Sequence, residues 1–178
     1  MPAKLWNKKS GAVGFSSKKS TWATPPGFFK QLNEEFNFTL DPCASDEDAK
    51  CQKYYTKEDD GLSKDWGGET VFMNPPYGRD IKTWIKKAYD ESRKPNTTVV
   101  CLIPSRTDTK YWHEYIMKAG QVRLIKGRLK FGDSKNSAPF PSALVIFDST
   151  SNRQSPEVTP MSSSGKLLWS LTTVRTAV

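Results

Sequence analysis

Val71-Phe72-Met73-Asn74-Pro75-Pro76-Tyr77 is the stretch on which the reading of this chain turns. The three apolar residues look like the end of a strand. Two successive prolines donate no backbone hydrogen bond and each fixes φ, so the strand must stop there and its carbonyls are left free to accept. Asn74 adds a side-chain acceptor, and Tyr77 offers a ring face on which a planar heterocycle can stack. The segment reads as a clamp for a flat amino group or, alternatively, as a rigid turn after a strand. The fold class is set by the residues C-terminal to it. Ile81, Trp84, Ile85, Ala88 and Tyr89 keep the i, i+3, i+4 spacing of an amphipathic helix, with Lys82, Lys86 and Lys87 opposite or flanking the stripe. Thr98 to Ile103 is then a continuous apolar run ended by Pro104, the pattern of a strand buried on both faces.

The same alternation recurs on either side. Thr24-Pro25 offers an N-cap and a proline at the first helical position, followed by Phe28, Phe29, Leu32 and Phe36 at helical spacing. Phe38 and Leu40 alternate with Asn37 and Thr39 in a short strand ending at Asp41-Pro42. Trp112, Tyr115, Ile116 and Ala119 form another helical stripe, and Val122–Ile125 and Ala143–Phe147 read as two further strands. Helices alternating with short buried strands imply an α/β fold, a mostly parallel sheet with flanking helices. Ligands of such sheets collect at the carboxyl ends of strands, where Asp41, Asn74 and Pro104 all fall. Residues 1–20, rich in Lys, Ser and Gly, are expected to form a flexible basic segment, residues 21–148 the working domain, and residues 149–178 a Ser/Thr/Pro-rich tail.

The chain carries a net charge of +8, and its placement is uneven. Residues 21–73 hold five basic and eleven acidic side chains, whereas residues 74–148 hold fourteen basic and seven acidic. A basic half beginning at the Asn-Pro-Pro-Tyr segment suits a polyanion; solvated helix faces are the alternative. No run approaches the roughly 20 apolar residues of a membrane span, and the Lys-rich start lacks the apolar core of a signal peptide, so a cytoplasmic protein without a membrane partner is expected. Cys43, Cys51 and Cys101 contain no Cys-x-x-Cys pair, and the single histidine, His113, lies far from the first two, so neither a disulfide framework nor a metal site is expected.

Trp22-x-Thr24-Pro25, Asp41-Pro42-Cys43-Ala44, Asp60-Gly61-Leu62, Trp66, Asn74-Pro75-Pro76-Tyr77, Ile103-Pro104-x-Arg106-Thr107, Gly127-Arg128-x-x-Phe131 and Pro139-Phe140-Pro141-Ser142 occur in that order. Together they resemble the phage-type DNA N-6-adenine methyltransferase (Dam) family over about residues 21–148. The resemblance implies an abbreviated Rossmann-like S-adenosylmethionine-dependent methyltransferase fold and methyl transfer to the exocyclic amino nitrogen of adenine in DNA, with the base flipped out. On that basis Asn74, Pro75, Pro76 and Tyr77 are the expected catalytic residues, and Trp22, Thr24, Pro25, Asp41, Pro42, Cys43, Ala44 and Asp60 the expected cofactor-binding ones. Arg106, Arg128, Lys130, Phe131 and Phe140 are candidate DNA contacts. The chain departs from the wider methyltransferase pattern after Asp41, where Ser45-Asp46-Glu47-Asp48 stands in place of a Gly-x-Gly. Two other readings remain open: an amino-methyltransferase acting on cytosine N4, RNA adenine or protein glutamine, and a methyltransferase-like DNA-binding protein without catalysis. Only 33 positions separate Asp41 from Asn74, so the first half of the sheet must be short and no recognition domain fits between them.

Overall fold

Thr98–Pro104 (β4) is a central strand with almost every residue buried, as its unbroken apolar run requires. The computed structural model describes residues 22–132, 134–152 and 154–168; the expected basic segment 1–20 lies outside them. The remaining strands are Leu40–Asp41 (β1), Lys53–Tyr54 (β2), Thr70–Met73 (β3), Gln121–Lys126 (β5), Ser142–Phe147 (β6) and Glu157–Ser162 (β7). The helices are Pro26–Phe36 (α1), Ile81–Glu91 (α2) and Lys110–Glu114 (α3). The seven strands form one sheet in the order β2-β1-β3-β4-β6-β5-β7. All neighbours run parallel except β6, which is antiparallel to both β4 and β5.

Strand alternation divides the core in two. Val71, Met73, Val99, Cys101, Ile103, Val145 and Phe147 face α2 and α3, where they meet Ile81, Ile85, Ala88, Trp112 and Ile116. Phe72, Val100, Leu102, Leu144 and Ile146 face the other way, toward Phe28 and Leu32 of α1 and Leu129 and Phe131 of the β5–β6 connection. The chain leaves β1 for β2 on one side and returns to β3 on the other. The sheet therefore has its switch point between β1 and β3, and crevices open at the carboxyl ends of such strands.

Three local expectations are corrected. Thr24 does not cap α1; Pro25 is the N-cap, extended at φ −58° and ψ 131°, and Pro26 opens the helix. A residue before proline is driven from helical backbone, so the Pro-Pro pair moves the start one position on. The strand expected from Asn37 to Asp41 is the shorter β1, because Asn37 turns left-handed to end α1 and Phe38 joins Phe29, Phe36 and Phe72 in an aromatic cluster. The segment after residue 148 is not tail throughout: β7 pairs with β5 along its whole length and buries Thr159 and Met161. Pro160 within it is tolerated because β7 is an edge strand.

The first half of the sheet is abbreviated, as expected. No α-helix lies between β1 and β3, only turns and a 3-10 turn at Gly61–Ser63. That stretch is held from behind by α2. Trp66 is fully buried against Trp84, its indole N–H donates to the Gly61 carbonyl at 3.0 Å, and its backbone N–H donates to Glu91 Oε2 at 2.8 Å. Lys87 and Lys94 each donate to Glu91 at 2.7 Å. Burial pushes the Glu91 carboxyl up, but the bonds from Lys87, Lys94 and Trp66 outweigh it and hold it below the usual range. Among the described residues no helix is long and apolar enough to cross a membrane.

Candidate active site

The carboxyl ends of β1 and β3 open on a cavity of about 180 Å³, lined by Trp22–Thr24, Asp41, Cys43–Ser45, Asp48, Lys50, Phe72 and Asn74–Pro76. Asn74 is held by two acceptors. Its Nδ2 donates to the Trp22 carbonyl at 2.6 Å and to Thr24 Oγ1 at 3.0 Å. A carbonyl can only accept, so the amide has one permitted orientation and Oδ1 is left as the free acceptor. That oxygen is buried and has no hydrogen-bond partner among the described residues. The Pro76 carbonyl accepts from Gly78 N at 3.0 Å, whereas among the described residues the Pro75 carbonyl accepts no backbone N–H. Two acceptors, Asn74 Oδ1 and Pro75 O, are thus available on one turn.

Across the cavity Asp41 is 5% exposed and organises its own loop, with Oδ1 accepting from Cys43 N at 3.2 Å and Oδ2 from Lys50 N at 3.1 Å. Burial pushes its pKa up to about 6 against the opposing pull of those two N–H groups. Among the described residues it forms no ion pair; Lys50 is paired with Asp48 instead. Pro42 is buried beneath the loop, and a Cβ added at Gly61 would lie 2.2 Å from the Pro42 carbonyl oxygen. Only glycine permits that approach. Gly61 thereby lets the 3-10 turn close on the β1 loop from behind.

Tyr77 lies just outside the cavity. Its hydroxyl donates to the Leu102 carbonyl at 3.2 Å, and its ring meets Phe131 and Phe140 edge-on at centroid distances of 6.1 and 5.5 Å. Trp22 contacts the same two phenylalanines at 5.5 and 5.1 Å. The β5–β6 connection reaches this end of the sheet because β6 is antiparallel, and Gly132 N ties it to the Ala23 carbonyl at 2.8 Å. Phe131 is 3% exposed and Phe140 is half-buried, so both serve as packing for Trp22 and Tyr77.

Of the seventeen residues singled out in the sequence, eight line the cavity: Trp22, Thr24, Asp41, Cys43, Ala44, Asn74, Pro75 and Pro76. Pro25 is taken up in starting α1. Asp60 is exposed, in left-handed backbone before the 3-10 turn, and does not line the cavity; the importance of its motif passes to Gly61. Arg106, Arg128 and Lys130 are exposed on the connections that follow β4 and β5, and none of them is ion-paired among the described residues. Ala23, Ser45, Asp48, Lys50 and Phe72 line the cavity without having been marked. Phe72 could have been found by alternation, since it shares a face with Asn74. The others are placed by loop paths that have no periodic signal.

An α/β sheet of this order, with an Asn-Pro-Pro-Tyr turn and an acidic loop on adjacent strand ends, defines a Rossmann-like methyltransferase of the amino-group class. The family model described as DNA N-6-adenine-methyltransferase (Dam) matches residues 13–162. A DNA N-6-adenine-methyltransferase of Haemophilus phage HP1 is 31% identical over 140 residues, covering 74% of this chain and 80% of that protein. One from Escherichia phage T1 is 32% identical over 114 residues, covering 62% of this chain and 47% of the relative. The chain belongs to the DNA N-6-adenine-methyltransferase (Dam) family.

Proposed function

We propose that this protein transfers a methyl group from S-adenosylmethionine to the N6 amino group of adenine in DNA. The observation that carries the reading is Asn74 Oδ1, a buried acceptor without a partner on the wall of the cavity. An unsatisfied buried acceptor costs about 1–3 kcal/mol, and a ligand N–H recovers it. The residues also fit the cofactor. Asp41, a buried carboxylate without an ion-pair partner, suits the ammonium of a methionine moiety, and each of its oxygens keeps a lone pair after its bond to the loop. When bound, the sulfonium cofactor supplies an electrophilic methyl carbon.

The chain's own residues act on the amine. The lone pair of an adenine amino group is delocalised into the ring, which makes the nitrogen a poor nucleophile. Asn74 Oδ1 and Pro75 O accept its two N–H bonds and favour the tetrahedral nitrogen in which the lone pair is localised. No strong base is required before the new bond forms, because the surplus proton becomes acidic only afterwards. Positioning carries much of the rate, since effective molarities of well-oriented groups reach about 10⁵ M or more. Adenine must leave the stack, at a cost of a few kcal/mol. Tyr77, fixed by Leu102 and the two phenylalanines, returns roughly 1–3 kcal/mol by stacking on the base beyond Pro76.

The test is labelled methyl transfer to duplex DNA followed by nucleoside analysis. N6-methyladenine is expected from the wild type and none from Asn74→Ala, with cofactor binding by calorimetry retained in the variant. Methyl label in N4-methylcytosine, or undiminished activity of the variant, would overturn the reading.

A further inference from the structure

A second concavity of about 260 Å³ lies between α2 and α3, lined by Lys82, Thr83 and Lys86 on one side and Lys110, Tyr111, Glu114 and Tyr115 on the other. It is on the opposite face of the sheet from α1. Both helices begin within a few residues of a strand's carboxyl end, α2 after Tyr77 and α3 after Pro104. The groove therefore starts at the same end of the molecule as the Asn74 cavity.

The lysines of α2 divide by their partners. Lys87 is locked by the buried Glu91 and the Lys64 carbonyl, and its ammonium sits over the Trp66 ring. Lys82 has no carboxylate partner among the described residues, while Lys86 is paired only with Asp90 at 2.5 Å and Lys110 only with Glu114 at 3.3 Å, all at exposed positions. Exposed pairs of this kind are worth about 0–1 kcal/mol, so they exchange readily for a stronger anion. Tyr111 forms the floor, 7% exposed and with its hydroxyl buried. Three cations along one groove, two of them held only by labile pairs with Asp90 and Glu114, match an anion with several acceptor oxygens.

We infer that this groove seats a backbone phosphate of the DNA, with Lys82, Lys86 and Lys110 supplying the charge. The inference rests on the DNA methyltransferase reading above. It accounts for part of the basic second half of the chain, and it gives the substrate a contact outside the catalytic cavity. Such a contact positions the duplex without reading its sequence.

The experiment compares wild type with Lys82→Ala/Lys110→Ala by fluorescence anisotropy with a labelled duplex over a salt series, alongside cofactor calorimetry and steady-state methylation. One lost phosphate contact lowers the slope of log K against log salt by about 0.9. The double lysine variant is expected to show that decrease, several-fold weaker DNA binding and a raised KM for DNA, with kcat and cofactor affinity kept. Unaltered affinity and slope in a double variant whose wild type binds DNA would overturn the groove and leave the methyltransferase reading intact. A wild type that binds no DNA would overturn both.

Discussion

Asn74→Asp separates two accounts of the clamp. Aspartate keeps an acceptor oxygen for the target amine, so if acceptance alone mattered the variant would remain active. The structure argues otherwise. Asn74 Nδ2 is the donor that holds the side chain, at 2.6 Å from the Trp22 carbonyl and 3.0 Å from Thr24 Oγ1. An oxygen in its place would face the carbonyl oxygen across a hydrogen-bonding distance with no proton between them. Two bonds at about 1 kcal/mol each are lost, and the repulsion and the stranded carbonyl raise the total to roughly 2–4 kcal/mol. If that penalty falls on the productive orientation, the rate drops about 30-fold to 10³-fold at 1.36 kcal/mol per decade. Thr24→Val removes only the 3.0 Å bond and is expected to lower the rate about 5-fold, for about 1 kcal/mol. The assay is single-turnover methyl transfer at saturating cofactor, with calorimetry confirming that cofactor still binds. An aspartate variant within about 3-fold of wild type would refute the claim that the amide is locked by its donor side.

The β1 loop yields two more expected outcomes. Gly61→Ala places a methyl group 2.2 Å from the Pro42 carbonyl oxygen, so the loop or the 3-10 turn must move. A loss of about 1–3 kcal/mol is expected in urea unfolding, with weaker cofactor binding, and a wild-type midpoint would show that the turn yields freely. Asp41 titrates near 6 when folded, above its ordinary value of 3.8, so the folded state binds the extra proton between those values. Its contribution therefore favours folding in acid and is lost as pH rises from about 4 to 6, amounting to about 3 kcal/mol across that window. A cationic ligand needs the ionised form, so cofactor affinity should rise between pH 5 and 7 and level off above, and Asp41→Asn should flatten the profile. Affinity independent of pH in the wild type would remove Asp41 from the cofactor's ammonium.

The parts of the fold that were legible in the sequence are those governed by periodicity. Ile81 to Tyr89 had to be a helix, and Thr98 to Pro104 a buried strand, because no other backbone hides those side chains together. β7 was illegible because an edge strand needs little apolar surface: Glu157, Thr159 and Ser162 are polar, Pro160 reads as a strand breaker, and Val158 faces outward. In the site, the clamp was readable because proline chemistry is local. Thr24 looked like a helix cap because its role depends on Asn74, fifty residues away. Asp60 attracted notice as an acid, although its neighbour Gly61 does the positioning, through a steric contact to which charge and spacing are blind.

The reversed direction of β6 has a further consequence for how this scaffold can vary. Because β5 ends and β6 begins at the cavity's end of the sheet, everything from Gly127 to Pro141 starts and finishes there. The anchors are few: Gly132 on Ala23, Ala138 on Leu129, and the Phe131 and Phe140 rings on Trp22 and Tyr77. Between Gly132 and Ala138 the described side chains are exposed. Residues can be inserted at that tip without altering a single strand register, and each doubling of a flexible loop's length costs only about 0.6 kcal/mol. New residues can therefore be acquired at the tip while the clamp beneath it stays fixed.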